Sequence, residues 1–177
     1  MHPIKKFAGK SIIWIDTSMM DRKDESRLKG GSYCNYAENT LVKKLLEGFK
    51  NEGVLPNLDI GIITGYRGQK DLIRKSVNNS GYDRIAKGID INTLDAFQGR
   101  ENDIIIYSTV RTKNSIGFQK EKERVNVAFS RAKNLLIICG DMDFFYKFDD
   151  PDNKFIEIID YICEHEDECL VIPGGEI

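Results

Sequence analysis

The sequence predicts an α/β fold, a mostly parallel sheet covered by helices on both faces. Three observations predict it. Apolar runs such as Ile60 to Ile63, Ile104 to Tyr107 and Leu135 to Cys139 are strand-length and nearly unbroken, as in strands buried on both faces. Segments with apolar residues at helical spacing alternate with those runs, and the connections between them are short.

The elements follow in order. Lys10 to Asp16 reads as a first strand. The Gly9-Lys10-Ser11 before it is not a phosphate loop: Ile4 stands where that pattern needs glycine, and the segment precedes a strand instead of opening a helix. Residues 17–32 are polar and punctuated by Gly30-Gly31, the signature of a mobile surface loop. Asn35 can cap a helix from Tyr36 to about Glu52, whose Leu41, Val42, Leu45, Leu46 and Phe49 form a core stripe closed by Gly53 and Pro56. Asp59 to Thr64 is the next strand, and Gly65 to Gln69 turns into a second helix ending near Val77. Asn78 to Gly81 makes a turn, and Ile89 to Leu94 alternates as a half-buried strand.

Asp95-Ala96-Phe97-Gln98-Gly99-Arg100-Glu101 is then a polar loop pivoted on one glycine. After the strand through Tyr107 comes a flexible loop, 113–119, with Gly117. Glu121 to Lys133 is a helix, Leu135 to Cys139 a strand ending at Gly140-Asp141, and Ile156 to Ile162 a helical pattern. Leu170 to Ile172 adds a short edge strand. Ligands on such sheets bind at the carboxyl ends of the strands, where Thr64-Gly65-Tyr66, Asp95 to Glu101, Arg111-Thr112 and Asp141 are expected.

At 177 residues the chain is read as one domain, 1–177, with an acidic extension over 142–177. No apolar run is long enough to span a membrane, and the first apolar cluster is too short for a signal peptide, so a cytoplasmic or nuclear location is expected. The four cysteines have no paired spacing and are expected as reduced thiols. Cys163, His165 and Cys169 sit in a solvated acidic helix end, and no metal site is predicted. Net charge is only −2, but its distribution is uneven. Residues 111–133 carry seven Lys or Arg against two Glu, and residues 141–177 carry twelve Asp or Glu against two Lys. The first segment can meet phosphates, and the tail repels them. The tail either packs on the sheet or contacts another domain.

Two stretches carry candidate chemistry. Arg124 and Arg131 are seven residues apart, so on one helix both guanidinium groups leave nearly the same face. An arginine so aimed can grip a terminal phosphate bidentately and stabilise the charge that develops in phosphoryl transfer. Asn126 and Ser130 are poor mid-helix residues, a loss of propensity that functional sites often show. In the loop, Gly99 lets backbone approach an anion, Gln98 can orient a water or bridge domains, and Glu101 can accept hydrogen bonds from a ribose.

Together these stretches reach a family. The run from Asn92 through Gln98-Gly99-Arg100-Glu101 to Arg111 resembles motif V of superfamily 1 helicases, and Arg124 to Gly140 resembles motif VI. Both are similar to the branch containing the nonsense-mediated-decay RNA helicase and senataxin. Ser32 to Glu38 and Ile60 to Gln69 fit that branch's intervening segments, so the resemblance covers about residues 32–141. It implies the second of two recombinase-like motor domains, a three-layer domain of the P-loop NTPase type without its own phosphate loop. It implies Arg131 as an arginine finger on the γ-phosphate, with Arg124, Gly99 and Glu101 near the nucleotide and Gln98 coupling nucleotide to domain closure. Thr64, Tyr66 and Thr93 would lie along the nucleic-acid track, with Arg67 and Arg111 beside it and Tyr66 as an aromatic platform. The implied movement along the strand is 5′ to 3′. Gly65 departs from the family's usual proline, and Glu123 from its frequent basic residue.

A phosphate loop, an upstream Asp-Glu pair for Mg²⁺ and the family's Gln-Tyr-Arg motif do not occur in the sequence. ATP and Mg²⁺ are therefore expected to be held mainly by an N-terminal motor domain of the same protein, and the isolated chain is expected not to hydrolyse ATP. The expected partners are that domain and single-stranded DNA or RNA. A rival reading is a free-standing, non-catalytic binding module with the same fold. Gln98, Glu101 and Arg131 argue against it, because such a module has no physical need for all three.

Overall fold

The computed structural model of the chain describes residues 5–97, 101–120 and 122–177. β1 (Ile12–Asp16) is followed by a small antiparallel hairpin, β2 (Ser26–Arg27) and β3 (Tyr33–Cys34), and by α1 (Tyr36–Asn51). Next come β4 (Asp59–Thr64), α2 (Arg67–Ser80), α3 (Tyr82–Ile85), β5 (Gly88–Thr93) and β6 (Asn102–Ser108). The chain ends with α4 (Lys122–Phe129), β7 (Ala132–Gly140), α5 (Met142–Lys147), α6 (Phe155–Glu164) and β8 (Cys169–Pro173). Six strands form one sheet in the order β5-β4-β6-β7-β1-β8, with every described pairing parallel. This is the predicted α/β architecture.

Alternation along each strand sends residues to two cores. Ile13, Ile15, Ile60, Ile62, Ile104, Ile106, Leu135 and Ile137 pack with the apolar stripe of α1 and with Ile73 and Val77 of α2. Their sequence neighbours Trp14, Ile63, Ile105, Tyr107, Leu136 and Ile138 pack on the other face with Val125, Phe145, Phe155 and Ile159. Both faces are covered, which explains strands without a polar face. Gly61 is the exception in β4 because a Cβ there would lie 2.6 Å from Ile105 Cδ1 and 2.8 Å from Phe97 Cζ. Its absence lets Phe97 anchor the loop that leaves β5.

Two expectations change, and one open alternative is decided. Residues 17–32 are strapped down: Glu25 is buried and bonded to Arg111, the Lys23 amine meets Asp141 at 2.9 Å, and Lys23 O accepts from Asn35 Nδ2 at 2.7 Å. The partners of these polar residues are distant in sequence, so composition alone resembled a mobile loop. Secondly, α4 stops at Phe129, four residues before the expected end. Arg131 N–H closes a tight turn on Ala128 O and Arg131 O accepts from Asn102 N at 3.0 Å, so the chain joins the sheet at Ala132. Sheet pairing there outweighs local helix propensity. Finally, the acidic tail packs on the sheet: β8 pairs along β1, and Phe155, Ile159 and Ile162 of α6 are in the core. The extension also contains α5, capped by Asp141, which accepts from Phe144 N at 2.9 Å.

Candidate nucleic-acid and nucleotide sites

β4, β5 and β6 end side by side, with Thr64 paired to Thr93 and to Ser108. Beyond those ends lies a groove of about 940 Å³, lined by residues that include Tyr33, Tyr66, Arg67, Thr93, Arg111 and Phe118. Arg67 opens α2 and is exposed, and Lys70 one turn on also lines the groove. Thr93 is half-buried at the end of β5. Thr64 is buried and its hydroxyl accepts from the Tyr66 amide at 3.3 Å, so it shapes the loop beneath the groove without lining it. Tyr66 is only 3 % exposed, wedged edge-on against Tyr33 with ring centroids 5.7 Å apart and tilted against Phe118 at 5.5 Å. Burial pushes its phenol up, partly offset by the Arg111 guanidinium. The Arg111 guanidinium carbon sits 4.4 Å over the Tyr33 ring, and its Nε donates to Glu25 at 3.2 Å. Arg111 is thus a buried, ion-paired wall of the groove.

Under that wall is a buried polar framework that sequence reasoning missed. Glu38, in the first turn of α1, is completely buried. Its carboxyl receives the Ser108 hydroxyl, the Thr109 hydroxyl at 3.1 Å and the Val110 amide at 2.9 Å. Gln69 donates to Ser108 Oγ at 2.9 Å and accepts from Asn35 N at 2.8 Å. Asn35 Oδ1 accepts from Glu38 N at 3.1 Å, so the predicted cap also locates the carboxyl. These bonds hold Val110 at φ +71, a left-handed conformation uncommon for a β-branched residue, and so fix where Arg111 leaves β6. The clue in sequence was a glutamate amid an apolar stripe, but nothing local distinguished it from a solvated residue. Burial pushes the Glu38 carboxyl up to about 8, against the opposite pull of its hydrogen bonds.

Glu101 and Arg131 lie at the opposite edge of the sheet. Glu101 was expected at the carboxyl edge, yet it immediately precedes β6 at the amino edge, where Asn102 pairs with Ala132. Parallel pairing is the cause: a chain leaving β5 at the carboxyl edge must return before it can start β6. Arg131, in the turn before β7, is its neighbour across that pairing, since Asn102 N donates to Arg131 O. β6 runs six residue steps between the two edges, so the groups at either end are about 20 Å apart. Arg131 is half-buried, and its Nε is buried without a hydrogen-bond partner among the described residues. Glu101 is exposed. Gln98, Gly99 and the side chain of Arg124 lie outside the described residues. No cluster of three or more metal-ligating side chains occurs among the described residues. Among the described residues the amino edge thus offers an arginine with an unused donor, which fits a phosphate, but no ligand set that fits Mg²⁺.

The AAA domain family matches residues 3–143. DNA polymerase alpha-associated DNA helicase A of Saccharomyces cerevisiae is 33 % identical over 158 residues, 86 % of this chain and 22 % of that protein. The regulator of nonsense transcripts 1 homolog of Neurospora crassa is 40 % identical over 121 residues, 66 % of this chain and 11 % of that protein. The DNA replication ATP-dependent helicase/nuclease of Saccharomyces cerevisiae is 43 % identical over 109 residues, 60 % of this chain and 7 % of that protein. The chain therefore spans from 7 % to 22 % of the length of these relatives. It belongs to the AAA domain family, as a domain of the superfamily 1 helicase type.

Proposed function

We propose that the chain is the second motor domain of an ATP-dependent helicase that acts on single-stranded DNA or RNA in the cytoplasm or nucleus. The observation that carries this reading is the buried Nε of Arg131 at the amino edge of the sheet, which has no hydrogen-bond partner among the described residues. A buried guanidinium donor without an acceptor costs free energy that a phosphate oxygen would recover. In this reading ATP and Mg²⁺ are held mainly by the N-terminal motor domain of the same protein, and bound ATP supplies the transferable phosphoryl group. Arg131 steadies the γ-phosphate from across the cleft. Arg124, Gly99 and Glu101 meet the nucleotide beside it, and Gln98 relays closure. The chain that leaves β5 at Thr93 begins β6 just after Glu101, so a change at Glu101 can pull on Thr93 and Asp95 at the groove. Arg67, Thr93 and Arg111 flank the strand track, and Thr64 and Tyr66 support it. No helix among the described residues is long and apolar enough to cross a membrane.

The test is ATPase activity of the longer protein, with and without single-stranded nucleic acid, beside its Arg131→Ala variant and the isolated chain. Turnover should rise with the strand and fall roughly 10³- to 10⁵-fold in the variant, with the isolated chain inert. Normal turnover in Arg131→Ala removes the finger assignment, whereas no strand-stimulated turnover in the longer protein overturns the motor reading and favours a non-catalytic binding module.

A further inference from the structure

We infer that Phe118, backed by Tyr66 and Tyr33, is a stacking platform for one base of a single-stranded nucleic acid. The inference rests on the groove's being the strand track and goes on to name the side chain that reads a base's flat face. Tyr66 cannot serve, because at 3 % exposure both of its faces are covered. Phe118 is 57 % exposed. Its apolar ring nevertheless sits at a fixed place in the groove wall, tilted on Tyr66 with centroids 5.5 Å apart, while Tyr33 meets Tyr66 edge-on from the other side.

Two glycines set the ring there. Gly117, at φ +63, passes so close to Tyr66 that a Cβ would lie 1.9 Å from the phenol oxygen. Gly65 packs beside Phe118, and a Cβ there would stand 3.6 Å from Phe118 Cβ, an ordinary contact distance. Four cationic residues line the groove, Arg67, Lys70, Arg111 and Lys120, against the single carboxylate of Asp95. Arg111 is spoken for by Glu25, Lys120 by Asp150, and Lys70 lies 3.5 Å from Asp71. The exposed guanidinium of Arg67, at the start of α2, is placed to meet the phosphate next to the stacked base. A phosphate contact beside an aromatic face is the arrangement by which single strands are held without sequence preference.

The test uses the 177-residue chain and a short oligothymidylate, with an abasic oligomer of equal charge as control, at low salt. Phe118→Leu should weaken oligothymidylate binding roughly tenfold, within the ~1–3 kcal/mol per base typical of stacking, and leave abasic binding unchanged. Phe118→Trp should retain affinity, and its fluorescence should be quenched by oligothymidylate but not by the abasic strand. If the chain binds oligothymidylate and Phe118→Leu binds it equally, with no quenching in Phe118→Trp, the platform is refuted and the strand-track reading survives. Should the unsubstituted chain bind neither oligomer, both fail.

Discussion

Glu38→Gln should flatten the dependence of stability on pH. In the folded chain the Glu38 carboxyl is pushed up from its ordinary value of 4.5 to about 8. The folded state therefore holds a proton that the unfolded state releases between those values. Stability is then greatest below about 4.5, falls as pH rises, and levels off above about 8. At ~1.4 kcal/mol per pH unit for one proton, the loss between pH 5.5 and 7.5 is about 3 kcal/mol. The geometry accommodates the neutral form. Ser108 Oγ accepts from Gln69, so its own proton goes to Glu38 Oε2, which also accepts from Val110 N at 3.0 Å; a proton on Oε1 is accommodated once the Thr109 hydroxyl, which donates to Oε1 at 3.1 Å, turns to accept it. Glutamine can reproduce that pattern with its amide. The assay is urea unfolding of both proteins at the two pH values. With a slope of ~2 kcal/mol per molar urea, the native midpoint should drop by about 1.5 M more than that of the variant. Histidines and other titrating groups are common to both and cancel. Identical pH dependence in the two proteins would mean that the three donors keep Glu38 ionised, and would overturn the reasoning.

Other outcomes follow from the same contacts. Glu25→Ala leaves the Arg111 guanidinium, whose side chain is 8 % exposed, without its carboxylate; a loss of about 3–5 kcal/mol is expected in denaturant unfolding. Gly117→Ala combines a left-handed backbone with a Cβ 1.9 Å from Tyr66 Oη. It should cost at least ~1–2 kcal/mol and, by displacing Tyr66, weaken oligothymidylate binding measured by titration. Trp14→Phe removes the buried indole hydrogen bond to Gly140 O at 3.0 Å and should lower unfolding free energy by about 1–2 kcal/mol, with the Thr17 amide still donating to that carbonyl.

The strands, the main helices and the parallel class were legible because periodicity and unbroken apolar runs are local consequences of burial. The Asn35 cap was legible for the same reason: its partner, Glu38 N, is three residues away. The sequence by itself also named the candidate groups from the chemistry of residues 98–101 and of the two arginines, but Arg131 lies in the turn beyond α4, so the shared helix face expected from its spacing with Arg124 does not form. Tertiary structure alone decided how those groups are partitioned. Parallel pairing carries the chain from the groove at Thr93 across the sheet to Glu101, putting Arg131 and the groove about 20 Å apart on opposite edges. It also decided which aromatic ring faces outward, burying Tyr66 and exposing Phe118, because ring exposure depends on a hairpin and a loop far apart in the chain. The Glu38 framework and the Glu25–Arg111 pair join residues 72 and 86 positions apart, separations at which no local pattern carries a signal. Residue type is set by sequence, but the desolvation that gives those carboxyls their meaning exists only once the layers have packed.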